Sequence, residues 1–312
     1  MTSVNVPGKI ILLGEHAVVY GRPAIAIPVH DVQAKVTIST IKDADANSIY
    51  LDAPNVHISD WVHDLSEGQP LREAIQLTLN ALNIHEFPAF QLRISSTIPV
   101  ASGMGSSAAV SVALIRAISI HLGNPLSIEQ QSALAFEVEK LHHGTPSGID
   151  NNVVAHEKPI FYSRGEQPQV FIPGERMVIV IADTGIPSQT AQAVEGVRER
   201  WVSDEDYYEA IFDQISDLTI LAKRAIISGQ ISVLGPLMNQ NQVLLEAIGV
   251  SSPEIEKLVQ SAQSAGALGA KLSGAGRGGN IIALIDPSHE QTISDALEES
   301  GAVSIIATRV TP

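Results

Sequence analysis

The first hundred residues contain short runs in which apolar and polar side chains alternate, the pattern that buries one face of a β-strand. Phe90-Gln-Leu-Arg-Ile-Ser-Ser-Thr-Ile98 shows it most clearly, and similar runs lie at 9–13, 34–40 and 48–51. Residues 71–82 have helical spacing instead. The pattern therefore predicts a mainly β segment with one inserted helix.

Two helices are predicted after residue 100. The first is rich in Ala, Val, Leu and Ile, begins near Ser106 and ends at Gly123-Asn124-Pro125. The second begins at Ser127-Ile-Glu-Gln130, which forms a capping box, and runs to about His142. Extended segments are predicted next, up to a turn rich in Pro, Gly and Glu at 172–176, which we interpret as a domain boundary.

The second half of the chain mixes strands with longer helices. Strands are predicted at 177–182, 270–272, 280–285 and 302–310, and helices at 189–201, 205–228, 231–247, from a capping box at 251–254 to 266, and from about 288. Strands with helices laid on one face make an α+β domain. The sequence thus predicts two domains, 1–174 and 175–312.

The segment Pro99-Val-Ala-Ser-Gly103-Met-Gly105-Ser106-Ser107-Ala108 lies between a predicted strand and a predicted helix. Its glycines permit turns that other residues avoid, and they let backbone N–H groups approach an anion, which a helix N-terminus also favours. The hydroxyls of Ser106 and Ser107 could cap the helix or bind a magnesium ion. The segment is therefore either a phosphate-binding loop or a simple helix N-cap.

Two further segments carry charged groups at the ends of predicted elements. Lys9 and Gly14-Glu15-His16 put a cation, a carboxylate and an imidazole near one sheet edge, although a strand with solvated ends would look the same. Glu139 lies near a helix end, and Asp150 follows beyond a tight turn. These two carboxylates could serve a magnesium ion and an acceptor hydroxyl. Glu139 could equally belong to a solvated helix face.

A second glycine-rich loop, Lys271-Leu-Ser273-Gly274-Ala-Gly276-Arg277-Gly278-Gly279-Asn280, separates two predicted strands. A plain hairpin is one interpretation. The number of glycines in succession favours the other, a loop that a ligand approaches closely.

Composition narrows the possible function classes. A formal net charge of −15 over 312 residues disfavours binding to nucleic acid or to an anionic membrane, since either needs a basic face. The chain has no cysteine, which excludes disulfides, thiolate zinc sites and cysteine nucleophiles and favours a cytoplasmic location. Residues 1–16 lack the apolar core of an export signal, and no apolar run is long enough to span a bilayer.

Together the four segments resemble the GHMP kinases, the superfamily named for galactokinase, homoserine kinase, mevalonate kinase and phosphomevalonate kinase. The resemblance extends over nearly the whole chain. Within the superfamily, the mevalonate kinases are the most similar in the segments Gly14-Glu-His-Ala-Val-Val-Tyr-Gly21, His143-Gly-Thr-Pro-Ser-Gly-Ile-Asp-Asn151 and Asp183-Thr-Gly-Ile-Pro-Ser-Gln-Thr190, the last followed by Val194-Glu-Gly-Val-Arg198. Galactokinases instead continue Gly-Glu-His with Thr-Asp, and diphosphomevalonate decarboxylases lack the Lys-to-Gly-Glu-His segment.

The resemblance implies an α+β protein with the GHMP kinase fold. In that fold an N-terminal α/β domain, of the type of domain 2 of ribosomal protein S5, joins a ferredoxin-like C-terminal α+β domain, and the active site lies in the cleft between them. The implied reaction transfers the γ-phosphoryl group of ATP to the C5 hydroxyl of (R)-mevalonate, with Mg²⁺, in isoprenoid biosynthesis. Many relatives dimerise, so the resemblance is compatible with a homodimer, although the sequence does not set the oligomeric state.

The resemblance also assigns catalytic and metal-binding residues. Asp150 would accept or orient the proton of the attacking hydroxyl, and Lys9 would stabilise the charge that moves between the acceptor oxygen and the phosphoryl group. Ser107 and Glu139 would bind Mg²⁺, with Ser107 preferred to Ser106.

Substrate contacts follow in the same way. Glu15 and His16, together with Ser147 and Thr184, would contact mevalonate. The residues expected to hold ATP are Pro99, Ala101, Ser102, Gly103, Met104, Gly105, Ser106, Ser107, Ala108, Gly274 and Gly276.

The chain departs from the family pattern in its glycine loops. Met104 replaces the usual Leu, which conserves volume and should matter little. Arg277 stands where glycine is common, and Asn280 stands where a small residue or Cys is common. If position 277 needs a positive φ, the arginine is strained there; if not, its guanidinium could reach the phosphates or close over the site.

Three other functions remain open on the same scaffold. The first is another small-molecule kinase, acting on 5-phosphomevalonate or a sugar, and the second is an ATP-dependent decarboxylase. The third is a ligand sensor without turnover, which the presence of Lys9, Glu139 and Asp150 together disfavours.

Overall fold

The computed structural model of the chain describes residues 1–99, 102–143 and 146–312. These residues form two compact units that alternate along the sequence. The first unit contains Met1–Gly8, Val32–Pro99 and Gly105–Glu157; the second contains Lys9–Asp31, the described part of Val100–Met104, and Lys158–Pro312. The domain boundary after residue 174 stays a prediction.

The first unit is built on strands that alternate between a buried and a more exposed face. In β5 (Phe90–Ser96) the alternate side chains Phe90, Leu92 and Ile94 are buried. β5 pairs antiparallel with residues 34–40 of β2 (Ala24–Thr40) and parallel with β3 (Ile49–Ala53). β3 in turn pairs antiparallel with β4 (Ile58–Trp61). The alternation read from the sequence is thus confirmed for this part of the sheet.

Helices complete the first unit. They are α1 (Pro70–Leu82), α2 (Ser106–His121), α3 (Ile128–His143) and α4 (Ile149–His156). The capping box predicted before α3 is confirmed: Gln130 N donates to Ser127 Oγ at 3.3 Å, and Ser127 N donates to Gln130 Oε1 at 2.9 Å. The two bonds satisfy amides that a helix start otherwise leaves unpaired.

The second unit contains an antiparallel sheet with the strand order β11-β8-β10-β9. Its strands are β8 (Met177–Asp183), β9 (Gly269–Ser273), β10 (Asn280–Ile285) and β11 (Ser304–Val310). Numbered within the sheet, the order is 4-1-3-2, as in a ferredoxin-like domain. Every residue of β10 is buried, so this strand is covered on both faces.

The remaining elements of this unit are helices and two short strands. The helices are α5 (Thr190–Ser203), α6 (Glu205–Ile227), α7 (Ile231–Ala247), α8 (Pro253–Ser264) and α9 (Glu290–Glu299); the strands are β6 (Ile160–Tyr162) and β7 (Gln169–Val170). β6 pairs with β7 and with residues 24–26 of β2. β1 (Thr2–Leu13) pairs with β2, and both of these long strands contribute residues to the two units.

α6 has 23 residues and packs one face against the sheet core. Its buried residues Ile211, Phe212, Ile215 and Ala222 recur at the spacing of an amphipathic helix. No helix among the described residues is long and apolar enough to cross a membrane.

The structure corrects three sequence-based expectations. β2 begins at Ala24 rather than 34, because residues 24–29 are all buried and form a continuous apolar run without alternation. α4 replaces the extended structure expected after Gly148, whose φ of 88° starts the helix. α8 is capped by Ser252, not by Ser251, because Ser252 Oγ accepts from Ile255 N at 3.4 Å.

The contact between α7 and β9 leads to a prediction in which packing opposes helix propensity. A Cβ on Gly235 would lie 2.2 Å from the carbonyl oxygen of Leu268, just before β9. Helix propensity alone makes Gly→Ala favourable by about 1 kcal/mol. We predict instead that Gly235→Ala lowers the free energy of unfolding by about 1–3 kcal/mol, because backbone must move. Urea denaturation measures this change.

The exposed Gln240 on the same helix provides the control. Gln240→Ala should change stability by less than about 0.5 kcal/mol. A Gly235→Ala protein as stable as the parent would show that α7 and β9 do not pack as closely as described.

Candidate active site

The turn after β1 places Glu15 and His16. His16 has φ 60° and ψ −50°, and Ala17 N donates to Glu15 O at 2.7 Å, so the three residues form a γ-turn of positive φ. This turn is rare and strained for a residue with a Cβ. Gly14 precedes it with φ 98°, and a Cβ at Gly14 would lie 2.5 Å from Pro23 O. Backbone strain is thus concentrated at a residue expected to contact substrate.

A buried ion pair holds this turn. Glu15 is 1% exposed, and it pairs with Lys271 of β9, which is 0% exposed. Lys271 Nζ also donates to the carbonyl oxygen of Leu272, and Asn241 Nδ2 of α7 donates to Glu15 Oε2 at 3.3 Å. Burial raises the pKa of Glu15 and lowers the pKa of Lys271, while the pairing opposes both shifts. The ion pair therefore links the turn after β1 to β9, the strand that leads into the second glycine loop.

His16 is a neutral imidazole in this structure. It is 5% exposed, and its Nε2 lies 2.9 Å from the carbonyl oxygen of Ala275, so Nε2 is the protonated nitrogen and donates. Burial, and then the charges of Arg200, Arg277 and Lys271, lower the pKa of His16 to about 4, although the bond to Ala275 raises it. Nδ1 is therefore left as an acceptor at neutral pH.

The first glycine loop has the backbone conformation that its sequence predicts. Gly103 and Gly105 have φ of 79° and 70°, in the left-handed region. Gly105 is the N-cap of α2 and has no side chain to bond the first amides of the helix. Ser106 and Ser107 follow in the first turn. Amides without internal partners, two hydroxyls and the helix dipole make this N-terminus suitable for an anion such as a phosphate group.

The second glycine loop, 274–279, is fastened to the described end of the first. Asn280 Nδ2 donates to the carbonyl oxygen of Ser102 at 2.6 Å. A Cβ on Gly274 would lie 4.0 Å from Gly103 O, so the two backbones face each other. The asparagine, a departure from the family pattern, therefore has a structural reason: its amide joins the two loops.

Lys9 lies beside the first loop through its backbone. Lys9 N donates to Met104 O at 3.0 Å, and the lysine side chain is 3% exposed. Met104 is itself 1% exposed, as expected of a residue that replaces Leu. The backbone of the lysine predicted to act on the phosphoryl group is thus held next to the loop predicted to hold the phosphates.

Two other predicted residues support the second loop. Thr184 Oγ1 and Thr184 N both donate to Gly279 O at 2.9 Å. A Cβ on Gly276 would lie 2.1 Å from Val250 O, so only glycine fits there. Gly276 therefore packs against the segment that joins α7 to α8.

Arg277 resolves the alternative left open for its position. Its φ is 56°, so position 277 does require the left-handed region and the arginine is strained there. Arg277 N donates to Val250 O at 2.7 Å. Its guanidinium extends over α5: a Cβ on Gly196 would lie 3.2 Å from Nη2 of Arg277. The side chain thus lies on α5 and not on Gly103.

Three predicted residues lie in the first unit on α3 and at the start of α4. Asp150 is half-buried in the first turn of α4, where the helix dipole favours a negative charge. Ser147 Oγ accepts from Ile149 N at 3.4 Å. Glu139 lies on α3 and is 5% exposed. Both carboxylates are thus at well-defined positions on helices.

Ser107 and Glu139 are the residues that fit a magnesium ion. They lie on α2 and α3, which pack against each other in the first unit. A hydroxyl and a buried carboxylate supply the oxygen ligands that Mg²⁺ prefers, and Mg²⁺ is commonly held by one or two carboxylates together with substrate phosphates. In the described part of the chain, no cluster of three or more His, Cys, Asp or Glu could hold a metal. The donors fit an ion bound jointly with a nucleotide.

The structure thus assigns the predicted residues to the two units. The second unit brings together Lys9, Glu15, His16, Ser102, Gly103, Met104, Thr184, Gly274 and Gly276. The first unit contains Pro99, Gly105, Ser106, Ser107, Ala108, Glu139, Ser147 and Asp150. Ala101 lies outside the described residues.

Sequence reasoning missed Lys271 and Asn241. Lys271 stands alone between Ala270 and Leu272 in an apolar strand, and a lone charge in such a strand indicates a buried partner. That signal was present but does not identify Glu15. Asn241 gives no local signal, because nothing in a helix sequence tells which distant carboxylate an amide will meet.

The matches to protein families agree with this geometry. Residues 70–157 match the GHMP kinases N terminal domain, and residues 222–303 match the GHMP kinases C terminal domain. The chain is 35% identical to the mevalonate kinase of Pyrococcus horikoshii, over 98% of this chain and 94% of that protein.

Solved structures give the same result. The mevalonate kinase of L. major, determined in complex with R-mevalonate, superposes with a TM-score of 0.84 at 29% identity, covering 100% of this chain and 96% of that one. The Methanococcus jannaschii mevalonate kinase superposes with a TM-score of 0.84 at 25% identity, covering 99% and 98%.

The burial of His16 predicts a pH dependence of stability. Its pKa of about 4 in the folded protein lies below the ordinary value of 6.5, so between these values the unfolded chain binds the proton more strongly. The contribution of His16 to the free energy of unfolding is therefore fully present above pH 6.5. It decreases by on the order of 3 kcal/mol as the pH falls to 4. We predict that His16→Asn removes this part of the slope in urea titrations at pH 7.5, 6 and 5.

The exposed His289 serves as the matched control. His289→Gln should retain the slope of the parent protein. If His16→Asn had the same slope as the parent, His16 would titrate normally and the description of a buried, neutral imidazole would be wrong.

Proposed function

The chain belongs to the mevalonate kinases, a branch of the GHMP kinases, and we propose that it phosphorylates (R)-mevalonate at the C5 hydroxyl, giving 5-phosphomevalonate and ADP in isoprenoid biosynthesis. The observation that supports this proposal most directly is the fixed position of Lys9. Its backbone is bonded to Met104 of the glycine loop, so a buried lysine extends from a point next to the loop expected to hold the phosphates.

The proposed chemistry needs positioning and charge compensation rather than a covalent intermediate. Asp150 accepts or orients the proton of the C5 hydroxyl. Lys9 compensates the negative charge that develops between the acceptor oxygen and the transferred phosphoryl group. Phosphoryl transfer depends mostly on such alignment and on electrostatic stabilisation, so one carboxylate and one cation suffice besides the metal.

The nucleotide phosphates are proposed to lie at the N-terminus of α2. The first amides of α2, which have no partners within the helix, and the glycines at 103 and 105 favour an anion there. Ser107 and Glu139 would hold Mg²⁺, which when bound neutralises phosphate charge. The facing backbones of Gly103 and Gly274 support a shared role of the two glycine loops in binding ATP.

The mevalonate-binding part of the site is assigned to residues that contact the substrate and to residues that hold the turn in place. We place the direct contact on His16, whose Nδ1 accepts a hydrogen bond from a substrate hydroxyl. Glu15, already bonded to Lys271 and Asn241, acts by holding that turn. Ser147 and Thr184 complete the proposed set. A cytoplasmic enzyme that dimerises is also proposed, from the lack of cysteine and from the family resemblance.

Two substitutions test the assigned chemistry. We predict that Asp150→Asn and Lys9→Met each lower kcat for mevalonate by about 100-fold or more, because proton transfer and charge stabilisation in the transition state are lost. ATP binding, measured by calorimetry, should change far less.

Exposed residues of the same types are the controls: Asp31→Asn and Lys35→Met should retain parental kcat. Near-normal turnover by Asp150→Asn would remove the proposed role of Asp150, and a loss confined to ATP affinity in Lys9→Met would move Lys9 to the nucleotide.

The acceptor itself is tested by a substrate panel. The purified protein is incubated with Mg-ATP and, in parallel, mevalonate, 5-phosphomevalonate, diphosphomevalonate, galactose and homoserine, and each product is identified by mass. We expect ADP release and a phosphorylated product with mevalonate. Turnover of another acceptor alone, CO₂ release from diphosphomevalonate, or ATP binding without any turnover would each contradict the proposal.

A further inference from the structure

Two arginines of the second unit lie together without a carboxylate. A Cβ on Gly196 of α5 would lie 3.2 Å from Nη2 of Arg277 and 3.4 Å from Nη1 of Arg200, so the two guanidinium groups meet over the same glycine. Among the described residues, neither arginine forms an ion pair with an acidic side chain. The nearby Arg198, in contrast, pairs with Glu195.

The hydrogen bonds of the two guanidinium groups are incomplete. Arg200 Nη2 donates to the carbonyl oxygen of Ile248 at 2.8 Å, whereas Arg200 Nε is buried and has no partner in the described structure. Arg277 is exposed, and its one hydrogen bond to the described residues is from its backbone N to Val250 O. The two guanidinium groups, each within 3.4 Å of the same Cβ position, repel each other, and an anion placed between them would remove the repulsion and accept from the buried Arg200 Nε.

The arrangement costs conformational energy that a glycine would avoid. Arg277 has φ 56°, and the glycines next to it in the loop, Gly276 and Gly278, show that the sequence supplies glycine where only the backbone matters. Gly196 and Gly249 leave the space that the guanidinium groups occupy: Cβ atoms there would lie 3.2 Å from Arg277 and 3.3 Å from Arg200. Side-chain function, rather than backbone conformation, is therefore the reason for an arginine at 277.

Two oxyanions are candidates, the phosphates of ATP and the carboxylate of the acceptor. The side of the loop that faces the phosphate loop is formed by Gly274 and Gly279, near Gly103 O and Ser102 O. Arg277 points instead to α5. It also lies two residues after Ala275, whose carbonyl oxygen accepts from His16 Nε2 at 2.9 Å, so the arginine is close in the chain to a hydrogen-bond partner of the residue proposed to contact the acceptor. The position favours the acceptor over the nucleotide.

We propose that Arg277, with Arg200 beside it, binds the carboxylate of the acceptor substrate and selects for an acid over a neutral alcohol. The inference rests on the proposed function, since it takes mevalonate as the acceptor. A planar guanidinium suits a carboxylate because it can donate two parallel hydrogen bonds. Arg277 is thereby a specificity-determining residue at a position where the family usually has glycine.

Arg277→Gly is the informative variant, because it removes the charge and also relieves the positive φ, so the protein should fold at least as well as the parent. We expect KM for mevalonate to rise about 10- to 100-fold with kcat within about threefold, as for loss of a charged hydrogen-bonding group. KM for ATP should be unchanged. Calorimetric titration of mevalonate into the protein without nucleotide should show the same loss of affinity.

A neutral analogue separates charge recognition from a general disturbance of the loop. In 3-methylpentane-1,3,5-triol a hydroxymethyl group replaces the carboxylate, so kcat/KM for the triol should be nearly equal in the parent and in Arg277→Gly. Arg277→Lys should recover only part of the mevalonate affinity, since an ammonium lacks the planar pair of donors. Arg224→Ala, at an exposed position on α6, is the control and should behave as the parent.

Each other outcome overturns the inference. A rise in KM for ATP alone would assign Arg277 to the nucleotide, and equal losses for mevalonate and the triol would make its role structural. Unchanged kinetics would show that Arg277 is an exposed arginine with no role in binding the acceptor. Failure of the parent protein to use mevalonate, although it uses another acceptor, would instead remove the proposed function, and the inference with it.

Discussion

The buried ion pair between Glu15 and Lys271 is the interaction on which the second-unit part of the site depends. It joins a turn at the end of β1 to a strand more than 250 residues later, and both side chains are almost fully removed from water. Taking two charges out of water costs several kcal/mol per ion, which their attraction repays only when further hydrogen bonds are made. Asn241 and the carbonyl oxygen of Leu272 provide those bonds. The pair therefore contributes more to the position of the turn than to the stability of the fold. The residue that it positions is the strained His16.

The same strand continues into the loop that organises the rest of the unit. Ser273 Oγ accepts from Ile11 N and donates to Ile11 O, so β9 is bonded to β1 next to the ion pair. Asn280 and Thr184 then hold the far end of the loop, through Ser102 O and Gly279 O. Glycines are needed where this network brings backbones together, as at Gly276 against Val250. The loop is thus rigid through contacts on both ends, while its single strained side chain, Arg277, extends over α5.

Features that depend on neighbouring residues were largely predicted from the sequence, whereas contacts between residues far apart in the chain were not. Alternation at β5 and the capping box before α3 depend on neighbours in the chain, and both were confirmed. The start of β2 was missed because a strand buried on both faces loses its alternation, and α4 because two turns after a glycine leave little periodicity. The glycine loops were found from their composition, because glycine permits backbone conformations that other residues avoid. The partner of Lys271 could not be found, because a buried pair is defined by three-dimensional packing. Which residue of the turn contacts substrate stays a prediction.

A double-mutant cycle tests most directly whether the ion pair between Glu15 and Lys271 positions the site. The free energy of unfolding is measured for Glu15→Gln, Lys271→Met and the double variant, together with turnover of mevalonate, and the exposed Lys257→Met serves as a control. Each single change should cost about 3–5 kcal/mol, because it leaves one uncompensated buried group, and the double variant should cost much less than the two together. Turnover should stay low in all three, since the turn that presents His16 has lost its support. Costs that add within about 0.5 kcal/mol, or a double variant with parental turnover, would contradict the claim that this pair positions the site.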